Sequence, residues 1–356
     1  MADSMSDPHA HGMSESQASI DRRMMLMGGG VLGAMAVARK AMAGPLEPPA
    51  GPVVPTHKTL TEVEPRTPVQ QLSGSSSAVH VIDKPGSYYL TENITGVSGK
   101  NGIVVKVDGV TLDMCGFLMQ GVTGSLTAVL PIGTRRAISV LNGVVTGWVD
   151  GVRAGADSMI AHIRAYGNSG TGLETRDRGL VMDCISTQNG AFGISVESSG
   201  RVIRCTVQQC GWRGIDTADD CFVSECVVSG CAQSGVDTGN NCVVERCIVH
   251  GNLGSGVLAN GSRCFIHANA CDSNQVAGIS VPNSGCRIEA NSLQLNSKGI
   301  EVNGSGNLLV CNVLRGNSIS HSVSAANSYG PFVSVAGVGD FSSVAGGSHP
   351  FVNLIY

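Results

Sequence analysis

Two short segments hold most of the side chains that could do chemistry. Trp212, Arg213, Asp216, Asp219 and Asp220 lie in the first, and Asp237, Asn240 and Asn241 in the second, with Asp216 and Asp237 21 residues apart. Paired carboxylates such as Asp216 and Asp237, with Asp220 close by, suit general acid and base work on a glycosidic bond. Trp212 would then be a platform for a sugar ring and Arg213 a partner for a uronate carboxylate. Six oxygen-bearing side chains (Asp216, Asp219, Asp220, Asp237, Asn240 and Asn241) also form the donor set Ca²⁺ favours. A plainer reading competes with both: Asp and Asn populate turns for backbone reasons, and a repeat copies whatever it began with.

What would bring the two segments together is the repeat itself. A Gly followed by an aliphatic residue recurs at Gly151, Gly172, Gly193, Gly214, Gly235, Gly256, Gly278 and Gly299, every 21 residues and once 22. A fixed period in this range marks a solenoid, in which each coil buries its apolar face only against its neighbours. A second column reads Val181, Val202, Val223, Val244, Ile266, Ile288 and Leu309. Three residues after each come Cys184, Cys205, Cys226 and Cys247, then Asn269, Asn291 and Asn312. A third column runs Asn168, Asn189, Cys210, Cys231, Asn252, Asn274, Asn296 and Asn317. The short β-branched runs between Gly, Asn, Ser and Asp turns leave no room for a helix, and the dense Leu pattern of leucine-rich repeats is missing. The expected fold is all-β: a right-handed parallel β-helix of about 21-residue coils with N- and C-terminal caps, in which like side chains stack about 4.8 Å apart. Stacked Asn amides would hydrogen-bond along the axis.

In such a coil the residue after each aliphatic one should face solvent. That outward column reads Arg153, Glu174, Ser195, Asp216, Asp237, Leu258, Ser280 and Glu301. Asp216 and Asp237 become neighbours, and two carboxylates that close need a shared proton or a cation. Asp183, Arg204, Glu225 and Arg246 alternate in sign along another edge, where opposite charges would help fix register.

The N-terminus reads as a targeting segment. Residues 1–43 carry Arg22-Arg23, a charge-free run from Met24 to Ala38, and Ala41-Met42-Ala43, the parts of a twin-arginine export signal. Asp21 and Met25 depart from the commoner residues of that motif, and a general secretory signal or an uncleaved anchor are the alternatives. The run is 15 residues, short for a membrane span, so no stable membrane insertion is expected. Residues 44–78 are rich in Pro and read as a linker, 79–318 as the β-helix with its N-terminal cap rungs, and 319–356 as a C-terminal cap or tail that folds over the last rung or meets another subunit. A net charge of −4 offers no basic surface for nucleic acid. The thirteen cysteines sit in columns. Export before oxidation favours free buried thiols, with disulfides between neighbours or a metal as the other readings; thiols in a line cannot surround one tetrahedral ion.

Gly86-Ser87-Tyr88-Tyr89-Leu90-Thr91 and Gly109-Val110-Thr111-Leu112-Asp113-Met114-Cys115-Gly116-Phe117 resemble the opening rungs of exported bacterial right-handed β-helix repeat proteins of the pectin-lyase-like superfold, with Cys115 where those relatives usually carry Asn. The resemblance implies the fold and an export route to the periplasm, cell surface or medium; it implies no activity, because that group is mostly unassigned. Asp216 with Asp219 and Asp220 is similar to the acid cluster of polygalacturonase-like glycosidases, but their Gly-His-Gly and Arg-x-Lys segments are absent. A pectate-lyase-like site would need a basic residue, and the outward column has none beside Asp216 or Asp237. The expected function is polysaccharide binding at the envelope, with cleavage by a lyase or hydrolase mechanism left open; a non-catalytic structural or adhesive spacer is the alternative.

Overall fold

The computed structural model describes residues 65–337 and 339–356. The targeting segment and most of the expected linker, residues 1–64, therefore lie outside the described residues.

Each coil is built as the periodicity requires. In one of them the strands Ile215–Thr217, Phe222–Ser224 and Val227–Ser229 follow one another through short turns. Ile215, Val223 and Val228 point inward and are fully buried. The first strand of every coil enters a 12-stranded sheet, and the other two enter a 24-stranded one. Neighbouring strands pair in parallel. The register pairs the landmark residues in series: Val152 with Leu173, then Ile194, Ile215, Val236, Val257, Ile279 and Ile300. Burial of each such side chain stabilises the coil by about 1.5–3 kcal/mol. The only helical pieces among the described residues are two 3-10 turns of three residues each. No helix among them is long and apolar enough to cross a membrane.

The Gly landmark has a packing cause. A Cβ at Gly214 would stand 2.4 Å from Val228 Cγ1 and 2.5 Å from the Gly235 carbonyl oxygen. At Gly235 it would meet Val249 Cγ1 at 2.3 Å. The first strand crosses so close to the next coil and to its own third strand that any side chain collides.

Polar columns close the corners. Asn274 Nδ2 donates to Asn296 Oδ1 at 3.0 Å and to the Val249 carbonyl at 3.0 Å, and Asn252 and Asn296 repeat the link to their own neighbours. Asn269, Asn291, Asn312 and Asn353 form a second ladder of the same kind. Where Cys replaces Asn the sulfur takes over part of this work: Cys226 Sγ donates to the Ser224 carbonyl at 3.2 Å, and Cys242 Sγ accepts the Cys221 N–H at 3.4 Å. All thirteen cysteines are unpaired, and all but Cys115 and Cys311 are buried. Burial pushes the Cys271 thiol up to about 12, as expected for an inert filler of a tight interior position.

The structure moves two expected boundaries. Thr67–Pro68 already pairs with Tyr88–Tyr89, and Val69 is fully buried, so the coil begins inside the stretch read as linker to residue 78. At the other end Ile319–Val323 extends the 12-stranded sheet, so coil pairing continues past 318. Asn353–Ile355 then lies alongside Val313–Arg315 and Phe332–Ser334. The alternating-sign edge is only half formed. Arg204 grips both oxygens of Asp183 at 2.8 Å, but Arg246 turns to Glu245 at 3.7 Å. All four residues of that edge have φ between 51° and 55°, so the side chains leave a left-handed turn and not a flat strand.

Candidate functional site

The outward column forms in the expected register, Arg153–Glu174–Ser195–Asp216–Asp237–Leu258. Its members are not freely solvated. The Asp237 side chain is only 5% exposed, whereas that of Asp216, one rung away, is 25% exposed. Arg213 reaches both carboxylates. It stands just before Gly214, outside the column, and reaches back over the strand. Its Nη1 donates to Asp216 Oδ1 at 2.6 Å, and its Nε lies 3.1 Å from Asp237 Oδ2. The second contact is an ion pair without an aligned hydrogen bond, which leaves Asp237 Oδ2 buried with no donor.

The consequence is electrostatic. Burial raises the Asp237 carboxyl to about 6; the Asp216 charge pushes the same way, and the Arg213 guanidinium opposes both. A buried carboxyl in that range can hold or release a proton near neutral pH, the property required of a general acid.

Aromatic rings flank the cation. The Arg213 guanidinium carbon lies 4.9 Å from the centre of the Trp212 ring, and Trp212 meets Phe192 at 4.6 Å between centroids, tilted by 38°. Trp212 stays 38% exposed. Phe192 was not singled out in the sequence, although the register contained the signal: it precedes Gly193 as Arg213 precedes Gly214, one coil earlier. A second ionic cluster also escaped. Arg153 bridges Asp150 at 3.2 Å and Glu174 at 3.1 Å, and burial raises the Glu174 carboxyl against the pull of Arg153.

The remaining candidates point elsewhere. Asp219 Oδ1 accepts both the backbone N–H and the side-chain amide of Asn240, at 2.7 and 3.0 Å, and those bonds lower its pKa. Asp220 Oδ1 accepts the Asn241 amide at 2.9 Å, and Asn240 Oδ1 accepts the Ser262 N–H at 2.9 Å. These four are rungs of a turn ladder that satisfy one another and the backbone. The structure thus brings together Asp216, Asp237, Arg213 and Trp212, and separates from them the functions of Asp219, Asp220, Asn240 and Asn241. Among the described residues no group of three or more His, Cys, Asp or Glu is arranged to hold a metal ion. The donor set does not fit the expected Ca²⁺: the cation facing Asp216 and Asp237 is the chain's own guanidinium, and one oxygen each of Asp219 and Asp220 is taken by an amide.

Comparison with known proteins supports the architecture. A family model described as the right handed beta helix region matches residues 201–337. No curated protein matches the chain by sequence. Among solved structures, the A-module of mannuronan C-5 epimerase AlgE6 from Azotobacter vinelandii is 13% identical with a TM-score of 0.53, covering 74% of this chain and 97% of that one. The AlgE4 A-module from the same organism is also 13% identical, with a TM-score of 0.51, covering 68% and 90%. The Dettilon tailspike protein gp208 is 13% identical at a TM-score of 0.48; the chain spans 60% of its length, and 78% of this chain is covered. The chain folds as a right-handed parallel β-helix.

Proposed function

We propose that the outer face of the 12-stranded sheet around Asp216 and Asp237 binds polysaccharide, and that Asp237 supplies the proton in a reaction at a glycosidic bond. One observation carries this reading: a buried carboxyl raised to about 6 shares an arginine with a second carboxylate, beside a half-exposed tryptophan. The Trp212 and Phe192 rings offer an apolar platform of the kind that stacks on a sugar, with Trp212 held by Arg213 and Phe192. Protonated Asp237 would donate to the leaving oxygen as the glycosidic C–O bond breaks, and Asp216, one rung away, would stabilise the positive charge on the sugar carbon until water adds there. An incoming sugar carboxylate would compete with Asp216 for Arg213. Fold relatives named as mannuronan C-5 epimerases support a carbohydrate ligand over other classes. The twin-arginine-type N-terminus supports action outside the cytoplasm, at the periplasm or cell surface.

The test is incubation of the chain with neutral and acidic polysaccharides, followed by assays for new reducing ends and for unsaturated products. Trp212→Ala should abolish binding, and Asp237→Asn should abolish product while leaving binding in place. Binding with no product from any glycan would reduce the protein to a recognition module. Absence of binding would leave the spacer.

A further inference from the structure

Upstream on the same side of the coil, four arginines line a groove. The turn after the strand Thr127–Pro131 provides Arg135 and Arg136, and the turn after Leu173–Thr175 provides Arg176 and Arg178; Asp177 and Glu197 are the acids on its wall. Its volume is about 300 Å³. Its lining carries four guanidinium groups and two carboxylates, and Asp157 and Asp108 stand beside two of the arginines, so the groove is set apart by the arrangement of its guanidinium groups and not by net charge.

Two of the arginines are already engaged. Arg178 holds Asp157 through two bonds, 2.6 and 2.9 Å, which fixes its plane. Arg135 donates from Nε to the Ile132 carbonyl at 3.0 Å and lies 3.9 Å from Asp108. Arg136 and Arg176 have no ion pair among the described residues. Arg136 is nevertheless held in place by its backbone, which bridges Ala156 in parallel and donates its N–H to Asp108. Two anchored arginines beside two unpaired ones form a receptor for an anion, because the guanidinium fork matches carboxylate or sulfate oxygens in pairs.

Continuity with the face already described decides the kind of anion. Arg176 stands two residues after Glu174 and Glu197 two after Ser195, so the groove adjoins the outward column. Arg176 lies two rungs from the coil of Asp216 and Arg136 four, about 10 and 19 Å along the axis at parallel-strand spacing. The turn that carries Asp157 and Arg178 in the left-handed conformation continues as Ser199, Asp220 and Asn241. A chain molecule lying along the sheet would cross Trp212 and Asp237 and the groove in one pass. We infer that the groove formed by Arg135, Arg136, Arg176 and Arg178 receives an anionic substituent, carboxylate or sulfate, of a polysaccharide bound along this face. The inference rests on the reading of Asp237 and Trp212 as a glycan site, and makes the ligand a polyanion.

Calorimetric titration with a polyuronate, a sulfated glycan and a neutral glucan of similar length tests it on the full chain. The two charged polymers separate the possible substituents: the one that binds in an arginine-dependent way identifies the anion. In Arg136→Gln/Arg176→Gln, affinity for that polymer should fall by about tenfold or more, as expected for losing charged hydrogen bonds. Its dependence on salt should weaken, and binding of neutral glucan should stay unchanged. Both positions are exposed, and an unaltered thermal melt confirms that the variant folds. Equal affinity of the double variant and the unaltered chain for both charged polymers overturns the groove; if Trp212→Ala still loses binding, the glycan site itself survives. Failure of all three polymers to bind the unaltered chain overturns both.

Discussion

Asn274 and Asp237 occupy comparable places, each a buried polar side chain stacked on a like neighbour in an adjacent coil, yet the two regions behave oppositely. An amide carries both a donor and an acceptor. Asn252, Asn274 and Asn296 therefore satisfy one another, each Nδ2 giving to the next Oδ1 at 2.9–3.1 Å. A carboxylate only accepts. Stacking Asp216 on Asp237 leaves two acceptors with nothing to share, and the molecule answers with Arg213 and with a carboxyl raised to about 6. Repetition of a self-complementary group makes a scaffold, whereas repetition of a group that cannot pair with itself leaves a site that needs a third party. In this chain the third party is the Arg213 guanidinium.

The sharpest way to break the comparison is to remove one rung of amide. Asn291 accepts from Asn269 twice and donates to Asn312 and to the Ile266 carbonyl. Asn291→Ala should cost about 3 kcal/mol or more, because several buried partners lose their bonds at once; a urea melt measures it, and a loss below 1 kcal/mol would mean that the ladder is incidental. Arg213→Gln should act less on stability, by about 1–2 kcal/mol at neutral pH, since its pair with Asp216 is partly solvated. Its larger effect should be a further rise of the Asp237 carboxyl, read by carbon-detected NMR titration. A fall would contradict the role assigned to the guanidinium.

The pH dependence sharpens the contrast further. Asp237 titrates at about 6 in the fold, against about 3.9 in an unfolded chain. Between those values the folded state holds more protons, so stability should decline as pH rises from about 4 to 6 and then level off. Asp237→Asn should remove that slope, and the amide ladders should contribute none. The smallest expected effect comes from joining the interrupted ladder. Cys210→Asn with Cys231→Asn would link Asn189 to Asn252 through four continuous amides, where Cys231 now donates only its backbone N–H to Asn252. A gain of about 0.5–1.5 kcal/mol is expected. A loss would show that the sulfurs are there for a fit against the tight glycine backbone that an amide cannot make, since a Cβ at Gly193 would lie 2.8 Å from Cys210 Sγ.

Periodicity made the fold readable. Gly214 and Gly235 mark the register because the packing there admits no Cβ, and that local constraint is written directly into composition. The outward column and both amide ladders follow from counting. Counting failed wherever a side chain left its own column. Arg213 lies one residue before the landmark, and only its rotamer carries it between an aspartate of its own coil and one of the next. The same count placed Asp219 and Asp220 beside Asp216 but could not say that their oxygens are taken by Asn240 and Asn241. Arg136 and Arg176 are 40 residues apart and outside any repeated column.

By itself, then, the sequence determined the coil, its period, its register and which residues would stack, because each of these depends on backbone spacing and on the alternation of inward and outward positions. The tertiary structure alone decided which polar groups meet across columns, how deeply Asp237 is covered, and that arginines from two turns share one groove. Those outcomes depend on the reach of long side chains and on burial by neighbours, and neither quantity is periodic.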